Sequence, residues 1–362
     1  MNGKLCFVHL ENIFAIPYLH NYTQLTTADY DIVYWDRRSL QESCGAANHL
    51  AFHYLLSENS PKWHKLIGYL KFRKFARHIL QANDYSVVIM LTSSVAVLLK
   101  DILLHKYSGR YILDIRDYFM ENNRFYYNAE KKLIDNCGLT VISSPAYKRF
   151  LPEHNYLLVH NSPNLSDGQI QDFRERKNAQ REKNTERPLV LSFIGGVRFF
   201  EQDKIILSYF ANDDRFFIQY IGTGAELLRQ HCEENNINNV YLHDRFPPDQ
   251  TLNFYSDTDM ILNLYGSGIP LLDYALSNKL YYAATLEIPI LVCPNTYMQE
   301  VAVGNGLGVA VNLSDSSEKD SIYNYYKDID WSAFHIKCCE FLARISNDNA
   351  AFDEQISRFL DI

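Results

Sequence analysis

Only 3 Trp occur in 362 residues, and no apolar stretch approaches the ~18 residues needed to span a bilayer, so no membrane-crossing helix is expected. Basic charge is not in excess either. Thirty-five Lys and Arg stand against 43 Asp and Glu, a net charge of −8, which argues against a nucleic-acid partner unless charge is segregated locally. Cysteine is sparse and unpatterned: Cys6, Cys44, Cys137, Cys232, Cys293, Cys338 and Cys339 are odd in number and lack C-x-x-C spacing. That excludes a disulfide framework and a thiolate metal site, and it predicts buried thiols in a reducing compartment. The start, MNGKLCFVHLEN, is too short in apolar residues for a signal peptide, so a cytoplasmic location is expected. There is no G-x-G-x-x-G after the first strand candidate and no G-x-x-x-x-G-K-[ST] anywhere, which disfavours classical dehydrogenases and P-loop enzymes. Short repeats and low-complexity segments are also missing.

What is present is an ordinary globular balance, 47% hydrophobic and 22% charged, which excludes disorder. It carries an unusual load of tyrosine, 26 residues, within 14% aromatics. Tyrosine suits half-wet surfaces as well as cores. At roughly 150 residues per domain the length favours two domains.

Short apolar runs alternate with helical patterns almost from end to end, the signature of parallel sheets covered by crossover helices. Strands are predicted at Lys4–Leu10, Asp31–Trp35, Ser86–Leu91, Tyr111–Ile115, Leu139–Ser143 and Tyr156–His160. Helical patterns lie around Pro61–Gln81, Val95–His105, Ala129–Asn136 and Pro145–Leu151. Residues 166–187 are polar and highly charged and read as a solvated linker or surface excursion. Strands then resume at Leu189–Phe193, Phe216–Ile221, Val240–Leu242, Met260–Leu264, Ile288–Val292 and Gly308–Val311, and a helical tail follows from Trp331. The expected organisation is an α/β chain of two Rossmann-like domains facing across a cleft. The first covers residues 1–165 and the second 188–330, with a tail over 331–362.

Glycine distribution is the sharpest local signal. Gly195-Gly196, Gly222-Thr223-Gly224 and Gly266-Ser267-Gly268 each follow a strand candidate, and Gly304-Asn305-Gly306-x-Gly308 leads into the last. Open α/β sheets bind ligands at the carboxyl ends of their strands. Glycine there lets the backbone approach a phosphate, and the next helix offers its N-terminal amides. Arg198, two residues beyond Gly196, adds a cation suited to a diphosphate. One such cluster is explained as well by a tight turn; three together point to an anionic nucleotide ligand.

The segments LVLSFIGGVRFF (189–200), FFIQYIGTGAE (216–226), VYLHDRFPPDQTLNFYSDTDMIL (240–262) and ALSNKLYYAATLEIPILVCPNTYMQEVAVGNGLGVAV (275–311) resemble the nucleotide-sugar domain of GT-B glycosyltransferases. The resemblance is to family 4-like enzymes of bacterial capsule and surface-polysaccharide assembly. In the first half, YILDIRDYF (111–119) and VISSPAYKRFL (141–151) resemble the acceptor-side segments of that family. The resemblance implies that Gly195, Gly196, Arg198 and Lys279 hold the donor diphosphate with the helix starting near Ser277. It further implies that Gly222 and Gly224 shape the nucleotide pocket and that Asp244, Arg245 and Phe246 flank the base. It also implies a C-terminal helix packing back toward the N-terminal domain. In one respect the chain departs from the family: the second Glu of the usual Glu-x7-Glu pair is Tyr282 here, and the first position is Tyr274, beside Asp273. Asp273 or another acid then takes over part of the ribose contact, or the donor is held differently.

A sugar hydroxyl acceptor must lose a proton, and Asp117 and Asp114 of the Asp-Ile-Arg-Asp motif are the candidate bases, the alternative for Asp114 being an internal salt bridge. Asp257-x-Asp259, Asp328-x-Asp330, His49-x3-His53 and Cys338-Cys339 have metal-like spacing but read as structural. No cofactor or metal is expected beyond a nucleotide-diphosphate-sugar substrate. From Ser60 to Leu80, Lys62, Lys65, Lys71, Arg73, Lys74 and Arg77 are interleaved with Trp63 and other apolar residues, with no acid. This reads either as an amphipathic crossover helix or as a surface for anionic lipid. The latter matches the polyprenyl-diphosphate-linked acceptor that the resemblance implies, and with it a peripheral place at the inner membrane face. The expected activity is a metal-independent glycosyltransferase. The alternatives are a non-catalytic nucleotide-sugar-binding subunit and a GT-B epimerase.

Overall fold

The computed structural model describes residues 3–40, 42–56, 60–183, 187–247 and 250–360. It divides into two compact units, residues 1–160 with 346–362, and residues 161–345. The first unit contains β1 (Leu5–His9), β2 (Tyr30–Asp36), β3 (Asn48–His53), β4 (Val87–Met90), β5 (Tyr111–Ile115), β6 (Leu139–Ile142) and β7 (Tyr156–Leu158). All pair in parallel in the order β3-β2-β1-β4-β5-β6-β7. β1, β4 and β5 are buried at every residue, as apolar strands covered by helices on both faces must be. Trp35, wholly buried at the end of β2, stacks on Phe72 of the helix Lys62–Ala82. That helix carries Gly68 where any Cβ would strike the indole.

The second unit contains β8 (Leu189–Ile194), β9 (Phe216–Ile221), β10 (Val240–His243), β11 (Met260–Asn263), β12 (Ile290–Val292) and β13 (Gly308–Ala310). These too are parallel, in the order β10-β9-β8-β11-β12-β13. In each sheet the strand order reverses beside the first strand, between β1 and β4 and between β8 and β11. Such a switch opens a crevice at the carboxyl ends where ligands bind.

Every strand anticipated from sequence is present to within two residues at either end. β3 was not anticipated, because its sequence NHLAFH is an edge strand of half-exposed residues rather than an apolar run. The polar segment read as a linker forms a helix, Asp167–Lys183. One apolar side chain, Phe173, is buried in the second unit's core. Two basic stems do the rest: Lys177 Nζ reaches Asp259 at 3.5 Å, and the Arg181 guanidinium lies 3.5 Å from the Trp331 ring centroid. The final helix, Trp331–Leu360, contributes to both cores. Phe334, Cys338, Phe341 and Ile345 are buried in the second unit, and Phe352, Ile356 and Leu360 in the first.

Candidate functional site

In the second unit the loops after β8 and β9 are laced together by backbone. Gly195 N–H donates to the Ile221 carbonyl at 2.8 Å and Val197 N–H to that of Thr223 at 2.9 Å. Gly195 has φ +140°, Gly222 φ +137° and Gly224 φ +95°. A Cβ on Gly222 would collide with the Gly195 backbone, and one on Gly224 would come within 2.9 Å of the Val197 carbonyl. No L side chain fits either the space or the conformation, so these glycines build a bare backbone cradle at the switch point. Asp244 fixes its rim by accepting the Gly224 N–H at 2.8 Å.

Over this cradle stands Lys279, on the helix Asn278–Leu286 that Ser277 caps by accepting the Lys279 N–H at 3.3 Å. Its Nζ lies 3.4 Å from where a Gly195 Cβ would be. Although only 5% exposed, Lys279 has no carboxylate within ion-pair distance among the described residues. Its ammonium donates to Tyr265 Oη at 2.7 Å and sits 4.0 Å from the Phe193 ring centroid. A dry ammonium held only by a phenol and a ring face is poorly compensated, and an anion on the cradle supplies what is missing. Asp203, buried nearby, has its carboxyl pushed up to about 6 by burial, against the pull of Lys279.

The other expected donor residues are dispersed around this centre. Gly196 and Arg198 are exposed, and a Cβ on Gly196 would meet Arg198 Nε at 3.7 Å, so that guanidinium lies along the loop. Arg245 is exposed, and Phe246 packs edge-on against Phe254 with centroids 4.8 Å apart. Asp273 accepts the Gly268 N–H at 2.8 Å and so holds its own glycine loop. Tyr282 is half-buried and stacks on the buried Tyr255 at 4.9 Å and 22°; burial raises its hydroxyl pKa. An aromatic pair thus occupies the register position where a carboxylate was looked for.

In the first unit Asp114, 0% exposed, receives Arg116 Nε at 2.7 Å, Arg116 NH2 at 2.8 Å and Tyr22 Oη at 2.7 Å. Both oxygens are consumed inside the core, which is the internal salt bridge and not a base. Asp117, three residues on, is exposed at the end of β5. The sequence reading passed over His9, the last residue of β1 at the switch point. It is buried, its Nδ1 lies 3.1 Å from the Glu11 amide nitrogen and 3.3 Å from the Glu11 carbonyl oxygen, and burial lowers its pKa to about 4, leaving a neutral ring. A lone His in an apolar strand gave no signal that could have singled it out, and Tyr265 and Asp203 were equally silent.

On the helix Lys62–Ala82 two expected surface cations are otherwise engaged. Arg73 and Arg77 both pair with Asp101, at 2.9 and 2.7 Å, so they face the fold and not a ligand surface. Lys62, Lys71 and Lys74 are exposed, Lys65 is half-buried, and Trp63, Leu66 and Leu70 are 65%, 60% and 57% exposed. The outward face is therefore more apolar than its sequence suggested.

No protein-family model and no curated protein matches the sequence. Solved structures do match. Anabaena HepE in complex with UDP-glucose is 14% identical with a TM-score of 0.65, and 99% of each chain is covered. Sucrose-phosphate synthase from Thermosynechococcus elongatus is 10% identical with a TM-score of 0.64, over 99% of this chain and 95% of the other. WaaG, a glycosyltransferase involved in lipopolysaccharide biosynthesis, is 10% identical with a TM-score of 0.58, over 99% and 95%. The fold is GT-B. In this GT-B chain the cradle of Gly195, Gly222 and Gly224 and the Lys279 ammonium belong to the second unit, while Asp117 and His9 belong to the first. Among the described residues no three His, Cys, Asp or Glu side chains converge as metal ligands, and no helix is long and apolar enough to cross a membrane.

Proposed function

We propose that this chain transfers a sugar from a nucleotide-diphosphate-sugar to a hydroxyl of a lipid-linked glycan acceptor in surface-polysaccharide assembly. The observation that carries this reading is the buried Lys279 ammonium, with no carboxylate at ion-pair distance among the described residues, over a side-chain-free glycine cradle at the β8/β11 switch point. Similarity to glycosyltransferase structures, one of them described with UDP-glucose, supports it. Negative charge develops on the leaving diphosphate, so the reaction needs fixed positive charge more than it needs a nucleophile. Lys279 and Arg198 supply cations and the helix capped by Ser277 supplies amide dipoles. Arg245 and Phe246 flank the base, and Tyr282 on Tyr255 lies at the ribose side, where stacking takes over from the carboxylate contact.

A panel of UDP-, GDP-, dTDP- and CMP-sugars read by thermal shift tests the donor. One nucleotide class should raise Tm, since ligand at 100 times its Kd adds about 2.7 kcal/mol to the native state. No response to any member would overturn the reading. On the acceptor side Asp117 is the proton acceptor, with His9 as a neutral donor at the neighbouring switch point. Asp117→Ala should cut transfer by about 100-fold or more with donor binding retained; near-normal turnover would remove this role. A second reading, a nucleotide-sugar-binding subunit without turnover, is favoured by the aromatic pair at Tyr282. Donor hydrolysis by purified protein distinguishes the two.

The acceptor's lipid is met by the helix Lys62–Ala82, where Trp63, Leu66, Ile67 and Leu70 enter the headgroup layer and Lys62, Lys71 and Lys74 meet anionic phosphates. The protein should float with vesicles containing phosphatidylglycerol at low salt, and Trp63→Ser with Leu66→Ser should abolish flotation. Equal recovery of this double variant and the parent with the vesicles would refute the assignment.

A further inference from the structure

At the amino ends of β8 and β11, away from the glycine cradle, several cations gather around one buried carboxylate. Asp259 stands just before β11 and is fully engaged. Arg187 Nη1 and Nη2 reach it at 2.5 and 2.8 Å, the Val190 N–H at 2.9 Å, Tyr326 Oη at 3.1 Å and Lys177 Nζ at 3.5 Å. Its single charge is thus divided between Arg187 and Lys177. Arg181, one turn after Lys177, is held by neutral groups: the Trp331 ring at 3.5 Å, Asn178 Oδ1 at 2.9 Å and the Glu287 carbonyl at 2.6 Å. The Glu287 carboxylate itself is paired with Arg174 at 2.9 Å. Burial pulls Lys177 down to about 8, and the charges of Arg181 and Arg187 add to that fall against the pull of Asp259; burial lowers Arg181 as well. Positive charge here exceeds what the carboxylate offsets. Nε of Arg181 and Nε of Arg187 are also buried without a hydrogen-bond partner among the described residues.

These groups border a hollow of about 170 Å³ lined by Arg181, Arg187, Asp259, Tyr326, Lys327 and Trp331. Asp259 is the only acid among its described lining residues, and Lys327 adds a third cation. A cavity of roughly 150 Å³ holds one benzene, so a phosphate fits here and a peptide or a nucleotide does not. We propose that this hollow binds a small tetrahedral oxyanion, inorganic phosphate or the phosphate of a small phosphomonoester, held by Arg181, Arg187 and Lys327. Guanidinium donors suit the oxygens of such an anion, and its charge takes up the surplus that Asp259 leaves. The bound ion would bridge the helix Asp167–Lys183, the entry to β8 and the end of the helix Glu318–Lys327.

This is a second anion site and not an extension of the donor cradle. Leu189, which lines the hollow, opens β8, and the cradle begins at Gly195 beyond the other end of that strand. Six residues of extended chain put about 20 Å between them. The two places also bind by different means. The cradle offers bare backbone and one ammonium, whereas the hollow offers side-chain cations alone. A larger hollow nearby, of about 420 Å³, lacks this surplus, because Asp167, Glu175 and Glu287 line it beside Arg174 and His335.

The test is titration of the intact protein with inorganic phosphate and, separately, with glycerol 3-phosphate, each against sodium chloride of equal ionic strength, with Tm as the readout. A saturable rise in Tm is expected. Phosphate also stabilises proteins generally by exclusion from their surface, so the variants carry the decision. Lys327→Ala removes an exposed side chain, and Arg181→Met keeps an apolar contact with Trp331. Each should raise the half-saturating concentration about tenfold, the worth of one charged hydrogen bond. Lys279→Met, at the cradle, should leave it unchanged, which separates this site from the donor site. A stronger response to inorganic phosphate assigns the free ion, and a stronger response to glycerol 3-phosphate assigns an ester. A rise no greater than that in chloride, parent-like titration of both hollow variants, or loss of the response in Lys279→Met would overturn the proposal.

Discussion

Lys279→Met is expected to remove the nucleotide-sugar-induced rise in Tm while leaving the unliganded protein about as stable as the parent. The two halves of this result have one cause. In the unliganded chain the ammonium is buried with no carboxylate at ion-pair distance among the described residues, and burying a charge without an ion-pair partner is unfavourable. What holds it is the Tyr265 hydroxyl at 2.7 Å and the Phe193 ring at 4.0 Å. Hydrogen bond and cation–π contact return about 1–3 kcal/mol between them. Methionine keeps the length and the ring contact and removes the desolvation cost, so the apo fold loses little. The diphosphate, by contrast, loses its buried cation. Truncating one partner of such a pair costs about 2–5 kcal/mol, or ~30-fold to several thousand-fold in affinity. Titration calorimetry with the responding nucleotide, beside urea unfolding of the apo forms, measures both halves. A variant that binds as the parent does would mean the cradle holds its ligand by backbone alone.

Glu130→Gln should stabilise the first unit by about 4 kcal/mol at pH 8 and by only about 1 kcal/mol at pH 5. Glu130 lies on the helix Arg124–Ile134, is 0% exposed, and has no partner for either carboxylate oxygen. The Ser93 hydroxyl, which pulls the Glu130 pKa down, is engaged with Tyr126 Oη at 2.8 Å. Burial, with a contribution from the Glu121 charge, raises its carboxyl from an ordinary 4.5 to about 8. A folded-state pKa above the unfolded one means the stability it contributes is complete below pH 4.5 and is lost as pH rises toward 8. Glutamine cannot ionise and escapes that loss. His9 works in the opposite sense: lowered to about 4, it costs stability as pH falls from 6.5 toward 4, so the two residues together narrow the stable range from both ends. Urea unfolding of parent and variant from pH 5 to 8, read by a first-unit probe, decides it; a pH-independent difference would assign Glu130 an ordinary core role.

How much of this was legible beforehand depends on whether a residue's role is written in its neighbours along the chain or across space. Strands of both sheets were visible because parallel strands covered on both faces must be runs of apolar residues, and the glycine clusters were visible because a bare backbone is a sequence property. β3 was hidden by being an edge strand. The helix Asp167–Lys183 was hidden because its burial relies on one Phe and on the aliphatic stems of Lys177 and Arg181, which count as polar in any composition window. Asp114 and Asp117 look alike in sequence, and only the fold separates them, by aiming the first at Arg116 and Tyr22. Tyr265 acquires its meaning only from Lys279, on a helix that starts thirteen residues further along the chain.

The helix Trp331–Leu360 sets the order in which the protein is completed during synthesis. Phe352, Ile356 and Leu360 fill the core of a sheet whose strands lie between residues 5 and 158. A ribosome making about 5–20 residues per second finishes those strands ~10 seconds or more before it supplies the side chains that close them. During that interval the core of the first sheet lacks the three side chains that this helix contributes.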